Sequence, residues 1–380
     1  MANLMDYLDW RGDITLEQSP FNEIDALILT QFVYLPFEGI ISMNFEDKMT
    51  IETAGEEFLE VYKNGEDENL TLLINNCRKV MCKMMKTERF RNLKVFNYID
   101  KFDPVASKQF AAVTIQISDD SVFVAYRGTD DTITGWEEDF KLCYMTPVAS
   151  QIEAEMYLKN VCCNWKGKIM AGGHSKGGNL SIYAAMGLHD MDKSRIVTIY
   201  NFDGPGFLPE IVNSHDYATI VPKVKSYMPQ GSVVGVIMYN ESECNIVKST
   251  AKGFLQRTVV SWQVLGTHFV NEAELENSSI IFNRMTKKWV EEVEADKREQ
   301  FIEQLFILLK SGESDTLTDI TSEFPHVMNK IRKTYTDFDK PTKKMMRDMM
   351  GDMLKLTKNA MKEKYFNKKN NNDDNTSASK

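Results

Sequence analysis

The sequence predicts an α/β protein: a mainly parallel sheet flanked by helices, with a helical appendage at its C-terminal end. Three observations predict it. Between about residues 111 and 250, short β-branched and aromatic runs alternate with helix-like stretches, the order that builds parallel sheets. Residues before about 95 read as mostly helical, and beyond about 285 long amphipathic stretches replace the alternation. The chain has 380 residues, 43% hydrophobic and 26% charged, which is ordinary for a soluble protein with a sizeable core.

In chain order, "SPFNEIDALILTQFVYL" predicts a helix, with Ser19 as its cap and Pro20 at the first helical position, ahead of an apolar stripe. "NLTLLINNCRKVMCKMM" carries a similar stripe. "AAVTIQI" and "SVFVAYRG" read as adjacent strands joined by a turn at Ser118 to Asp120. A helix over "SQIEAEMYLKNVC", a strand over "KIMAGG", a helix over "GNLSIYAAMGLH" and a strand over "RIVTIYNF" follow. "KVKSYMP" and "NIVKST" are two further strands. "TKKWVEEVEADKREQFIEQLFILLKSG" predicts one long helix stopped at Gly312, and the stretch from Pro341 predicts another. The polar "NKKNNNDDNTSASK" predicts disorder. The divisions are residues 1–285 for the α/β domain with its helical N-terminal part, 286–366 for the helical appendage and 367–380 for the tail.

The formal net charge is -10, yet residues 332–369 hold 12 basic against 5 acidic side chains, so the body is more acidic than the total. An acidic body excludes nucleic acid as the main partner. The start, "MANLMDYLDWRGD", has neither a basic n-region nor an apolar h-region, and no run of about 18 apolar residues exists. The six cysteines have neither metal nor framework spacing, and adjacent Cys162 and Cys163 read as thiols. These features fit a reducing cytoplasm. No metal or nucleotide motif is present, so no cofactor is expected.

The sharpest local signal is Gly173-His174-Ser175-Lys176-Gly177, a G-x-S-x-G pattern between a strand and a helix. A serine on so sharp a turn holds its hydroxyl exposed in a strained backbone. Residues two before and two after lie too close for side chains, hence Gly173 and Gly177. The following helix turns free N–H groups toward the reacting oxygen. The alternative is a glycine-rich corner without chemistry. In acyl-transfer hydrolases one oxyanion donor follows the nucleophile and the other comes from a loop after an earlier strand. Here those are the Lys176 N–H and Thr129, which ends "FVAYRGT" and offers both an N–H and a hydroxyl. The flanking His174 and Lys176 side chains point away from a neighbouring serine and read as neighbours.

"VFVAYRGTDDTITGWEEDF" followed by "AGGHSKGGNLSIYAA" resembles class 3 (fungal-type) lipases, with their Arg-Gly-Thr strand, Trp-x-x-Asp segment and Gly-His-Ser-x-Gly elbow. A bacterial lipase-like family of unknown function is more similar still, through "DYLDWRGDITLEQSPFNEIDALIL", "NFDGPGF" and "SWQV". This resemblance covers most of residues 1–310. It implies an α/β-hydrolase fold, Ser175 as nucleophile, and structural rather than catalytic roles for Arg127 and Trp136.

The usual chain order places an acid and then a histidine after the serine. Asp203, ending "RIVTIYNF" at the turn "DGPG", is the acid candidate, and Asp216 is a weaker choice. Class 3 lipases place their acid after a later strand. The matching stretch "YMPQGSVVG" offers Ser232 and no carboxylate, so the acid is Asp203 or absent. His174 and His189 precede the acid, His215 lies in a polar loop, and His326 lies in the appendage. His268 is the base candidate. In the lipase-like family the histidine stands in a Gln-His stretch just before Ser-Trp, where this chain has Gln256 and Arg257. Arginine stays protonated in proteins and cannot act as a general base.

Two functions therefore stand. One is a serine hydrolase of lipase or esterase type, with Ser175, His268 and Asp203 acting on an acyl ester or lipid-like molecule. The other is a pseudo-hydrolase, impaired at Arg257, that binds or scaffolds. The stripe Met345, Met346, Met349, Met350 and Met353 reads as a packing face. With Lys343, Lys344, Arg347, Lys355 and Lys358 beside it, the same helix also suits peripheral contact with a membrane or a protein.

Overall fold

The computed structural model describes residues 2–62, 71–312, 316 and 324–377. Helices α1 (Leu4–Arg11) and α2 (Glu23–Phe32) each open on an asparagine capping box, Asn3 with Asp6 and Asn22 with Asp25. The cap of α2 is therefore Asn22 and not Ser19. The Asn22 side-chain oxygen reaches the N–H groups of Ile24 and Asp25, while Pro20 stays outside the helix with its carbonyl accepting from Arg89. Strand β1 (Met49–Thr50) leads into α3 (Ile51–Val61), and α4 (Leu72–Met84) is capped by Thr71.

The sheet has eight strands in chain order. After β1 come β2 (Lys94–Asp103), β3 (Lys108–Ser118), β4 (Ser121–Tyr126), β5 (Lys168–His174), β6 (Ile196–Phe202), β7 (Val224–Pro229) and β8 (Cys244–Val247). Strands β1 to β4 pair antiparallel and β4 to β8 parallel. Strand β2 is absent from the sequence prediction. Its alternation is interrupted by Asn97, at φ 53°, where the register with β3 shifts between Phe96 and Ile99.

Between the strands lie α5 (Ile133–Lys141), α6 (Ala149–Asn164), α7 (Lys176–Met186), α8 (Asp190–Arg195), α9 (Pro209–Val212) and α10 (His215–Ile220). Two buried cores cover the two faces of the sheet. The one built on α1 to α4 includes Leu27, Phe32, Phe123 and Trp262. The other packs α6, α7 and α10 through Leu158, Leu180 and Ile220. A sheet that is parallel from β4 to β8 and covered on both faces, with a strand–serine–helix turn at the end of a central strand, is an α/β-hydrolase fold.

A short hairpin, β9 (Val264–Leu265) and β10 (His268–Phe269), precedes the C-terminal helices. These are α11 (Asn277–Glu292), α12 (Ala295–Lys310), α13 (Phe324–Asp337) and α14 (Lys340–Ser377). The single helix expected up to Gly312 is thus two, and the first begins before residue 286. The break at Val293 and Glu294 is held by Arg298, whose Nη1 donates to the free carbonyls of Val290 and Val293. Met346 and Met349 bury against Trp289 and Phe306, so part of the methionine stripe is a packing face, whereas Met350 is exposed. Helix α14 continues to Ser377, into the stretch expected to lack structure, because each added residue extends an existing hydrogen-bond ladder. Among the described residues no helix is long and apolar enough to cross a membrane.

Candidate functional site

Ser175 stands between the end of β5 and the start of α7, at φ 56° and ψ −132°. Such a backbone costs a non-glycine residue about 1–3 kcal/mol and persists only where its surroundings impose it. Here the Ser175 N–H donates to the Phe202 carbonyl at 2.8 Å, and its carbonyl accepts from Gly178 at 2.9 Å. A Cβ on Gly173 would lie 2.2 Å from the Gly177 backbone, and one on Gly177 would lie 2.2 Å from the Tyr126 carbonyl oxygen. Side chains at 173 and 177 are therefore excluded by backbone, which is the steric condition of a nucleophile elbow.

The first N–H of α7, on Lys176, lies in the turn where intrahelical acceptors are lacking. Thr129 follows β4, but its hydroxyl is committed: Oγ1 donates to Asp139 Oδ1 at 2.8 Å, leaving only its N–H for an oxyanion. The Lys176 side chain runs inward, away from Ser175. Its Nζ donates to Glu138 Oε2 at 2.7 Å and to the Gln109 carbonyl at 3.0 Å. Glu138 also accepts N–H bonds from Gln109 and Ser150, so the buried charge pair is well solvated by protein. Burial pushes the Asp139 carboxyl up to about 6, against the opposing pull of the Lys176 charge and the Thr129 hydrogen bond.

Asp203 follows β6 at φ 55° and is buried. Its Oδ1 accepts from the Ser232 hydroxyl at 2.5 Å and from the Gly235 N–H at 3.1 Å. Asp203 thus touches Ser232, the residue in the stretch that matches the later acid position of class 3 lipases, carboxylate after one strand and hydroxyl after the next. Burial raises the Asp203 carboxyl to about 6, opposed by the Ser232 bond and then by the Arg257 charge.

A folded pKa above the unfolded one means that the folded state holds this proton more tightly. The resulting stabilisation is complete below about pH 4 and is lost as pH rises through about 6. Asp203→Asn removes the titration. Between pH 4 and pH 7 the stability difference is expected to shift toward the variant by about 2 kcal/mol, because each pKa unit is worth about 1.36 and part of the unfolded carboxyl is already ionised at pH 4. Urea denaturation at both pH values checks this, and parallel changes in both proteins would refute it.

His268 is not at this site. It sits on β10, where the two-residue alternation turns Phe269 into the core against Tyr227 and Trp262 and turns His268 outward. Its side chain is 72% exposed, and its Nδ1 lies 3.1 Å from Glu23 Oε1. The role of base therefore does not fall to His268. Asp216 is also elsewhere, exposed and paired with Lys193 at 2.7 Å. His189, just before α8, and His215 on α10 are exposed, and the His326 side chain lies outside the described residues.

The group that approaches Ser175 is Arg257, with Nη2 3.4 Å from Ser175 Oγ. Its guanidinium lies between two aromatic rings, 5.1 Å from the Trp136 centroid and 4.9 Å from that of Phe254. Trp136 thus belongs to the site rather than only to the framework. Arg127 is structural, as expected, in a bidentate pair with Asp100 at 2.5 and 2.7 Å. His174 is buried, with Nδ1 3.2 Å from the Tyr34 hydroxyl. Burial, and then the Arg257 charge, lowers its imidazole to about 3, so at neutral pH it is uncharged and a poor base.

Sequence reading missed Tyr34, Phe254 and the pairing of Asp203 with Ser232. Of the added contacts, only Asp139 carried a signal, as the aspartate of the Trp-x-x-Asp segment. Arg257, Thr129, His174 and Trp136 line a cavity of about 390 Å3 beside the elbow. No group of three or more His, Cys, Asp or Glu able to hold a metal occurs among the described residues.

Comparison with known proteins matches residues 84–307 to the family described as Mbeg1-like. No curated protein matches the sequence. Among solved structures, M37 lipase is 17% identical, with 57% of this chain and 70% of that one covered and a TM-score of 0.37. The native Rhizomucor miehei lipase propeptide complex is 12% identical, with 56% and 74% covered and a TM-score of 0.34. Lip2 lipase from Yarrowia lipolytica is 12% identical, with 46% and 71% covered and a TM-score of 0.29. Likeness at that level says nothing about chemistry.

Proposed function

The chain belongs to the Mbeg1-like family, and from the geometry of its site we propose that it is a serine-hydrolase-fold protein arrested at the base. It keeps a lipase-type pocket for binding an acyl ligand and does not turn esters over efficiently. The observation that carries this reading is Arg257 Nη2 at 3.4 Å from Ser175 Oγ, the approach a general base would need. A guanidinium has five donors and no acceptor, so it cannot take the serine proton. The elbow and the buried Asp203 remain, and the N–H groups of Lys176 and Thr129 suffice to hold a carbonyl oxygen.

The test is turnover of p-nitrophenyl esters by the full chain beside Ser175→Ala. The two proteins are expected to give the same slow rate, with no Ser175-dependent burst. A rate that collapses in Ser175→Ala would show a working hydrolase and overturn the reading.

A further inference from the structure

A second cavity, of about 220 Å3, lies beneath the C-terminal helices. Its floor is the loop end of the sheet, with Pro205 just beyond Asp203 and Val234 in the loop that holds Ser232. Its roof is the appendage: Met285 and Trp289 from α11, Phe301 from α12 and Met353 from α14. The wall is almost wholly apolar; its one ionisable carboxyl, Asp139, is hydrogen-bonded to Thr129. The volume exceeds the roughly 150 Å3 of an apolar cavity that stays dry and takes up benzene.

Trp136 lines both this cavity and the one beside the elbow, so the two adjoin at its side chain. Its Nε1 is buried and has no acceptor among the described residues. Beside the same ring stands Arg257, whose guanidinium meets the Ser175 hydroxyl and two ring faces. An indole N–H without an acceptor and a guanidinium with no carboxylate hydrogen-bonded to it, both among the described residues, thus stand beside an apolar chamber, with Asp139 and Asp203 near enough for their charges to act on the guanidinium. Of the two aspartates at the mouth, Asp130 is engaged by Gln109 and by the Thr132 N–H. Donors at one end and an enclosed apolar space at the other suit an amphipathic anion. A carboxylate matches the planar fork of arginine.

We infer that the site binds an unbranched aliphatic carboxylate, its head on Arg257 and Trp136 Nε1 and its hydrocarbon chain in the cavity roofed by α11, α12 and α14. This rests on the Arg257 site being one that binds rather than hydrolyses. It gives the C-terminal helices a function, as the lid of a chain-binding chamber that the α/β sheet does not close by itself.

Calorimetric titration of the full chain with dodecanoate, butanoate and methyl dodecanoate tests it. Dodecanoate is expected to bind, and butanoate at least about tenfold more weakly, because fewer methylenes are buried. Methyl dodecanoate, without the charge, and dodecanoate against Arg257→Gln are each expected to bind at least about tenfold more weakly. Met353→Trp and Val234→Phe fill the chamber from opposite sides. Each is expected to weaken dodecanoate and leave butanoate unchanged, with the fold checked by melting temperature. No dodecanoate binding by the folded wild type, or binding that none of these variants weakens, would overturn the inference. Ester turnover that depends on Ser175 would instead overturn the reading it rests on, and is measured separately on the same samples.

Discussion

Arg257→His is expected to raise the hydrolysis of short p-nitrophenyl esters by about 10²-fold or more, the usual contribution of a positioned general base. The substitution puts an acceptor nitrogen on the side chain that already reaches Ser175 Oγ. It also removes a fixed positive charge from the neighbourhood of His174, Asp139 and Asp203, each of which feels it. The other parts of the machinery are unchanged, because the elbow is imposed by backbone contacts at Gly173 and Gly177 and not by Arg257. The gained activity should vanish in the double variant with Ser175→Ala. It should also rise with pH between about 5 and 7, as a histidine base loses its proton and Asp203, held near 6 by burial, ionises to orient it. A folded Arg257→His protein no faster than wild type would falsify the view that position 257 is where hydrolysis is blocked.

Arg89→Met is expected to destabilise the fold by about 3–5 kcal/mol, because it leaves the Asp25 carboxylate buried without its cation. Both side chains of this pair are 0% exposed, and Arg89 grips Asp25 through Nε at 2.7 Å and Nη2 at 2.5 Å. Its Nη1 also collects the carbonyls of Ile14, Thr15 and Ser19, so one guanidinium ties the loop between α1 and α2 to the start of α2. Helix α2 lies against the inner face of the sheet under β5, the strand that carries Ser175. Losing Arg89 therefore reaches the elbow through packing. Urea denaturation gives the measurement. Asp25→Asn added to Arg89→Met should recover part of the loss, since an amide needs no counter-charge. A loss under about 1 kcal/mol in the single variant, within the range of surface ion pairs, would contradict this account.

The sequence by itself determined the features that a few contiguous residues impose. The elbow is one: Gly173, Ser175 and Gly177 sit within five positions, and the steric exclusion that requires them acts over that span. The alternation of strand and helix from β3 to β8 is another, because its signal is local hydrophobic period. Strand β2 escaped where a local irregularity at Asn97 broke that period. The break between α11 and α12 escaped because Arg298, which caps it, looks like any residue of an amphipathic helix.

Only the tertiary structure decided the partners of Ser175. His268 satisfied chain order, yet alternation on a two-residue strand spends the inward position on Phe269 and turns the histidine to solvent. Arg257 lies 82 positions from Ser175 and reaches its hydroxyl because a short 3-10 turn at Gly253–Arg257 packs over the end of the sheet. Asp203 and Ser232, 29 positions apart, meet because β6 and β7 are neighbouring parallel strands that end at the same level. Such meetings depend on where the whole core places each strand end, and no window of sequence contains that information.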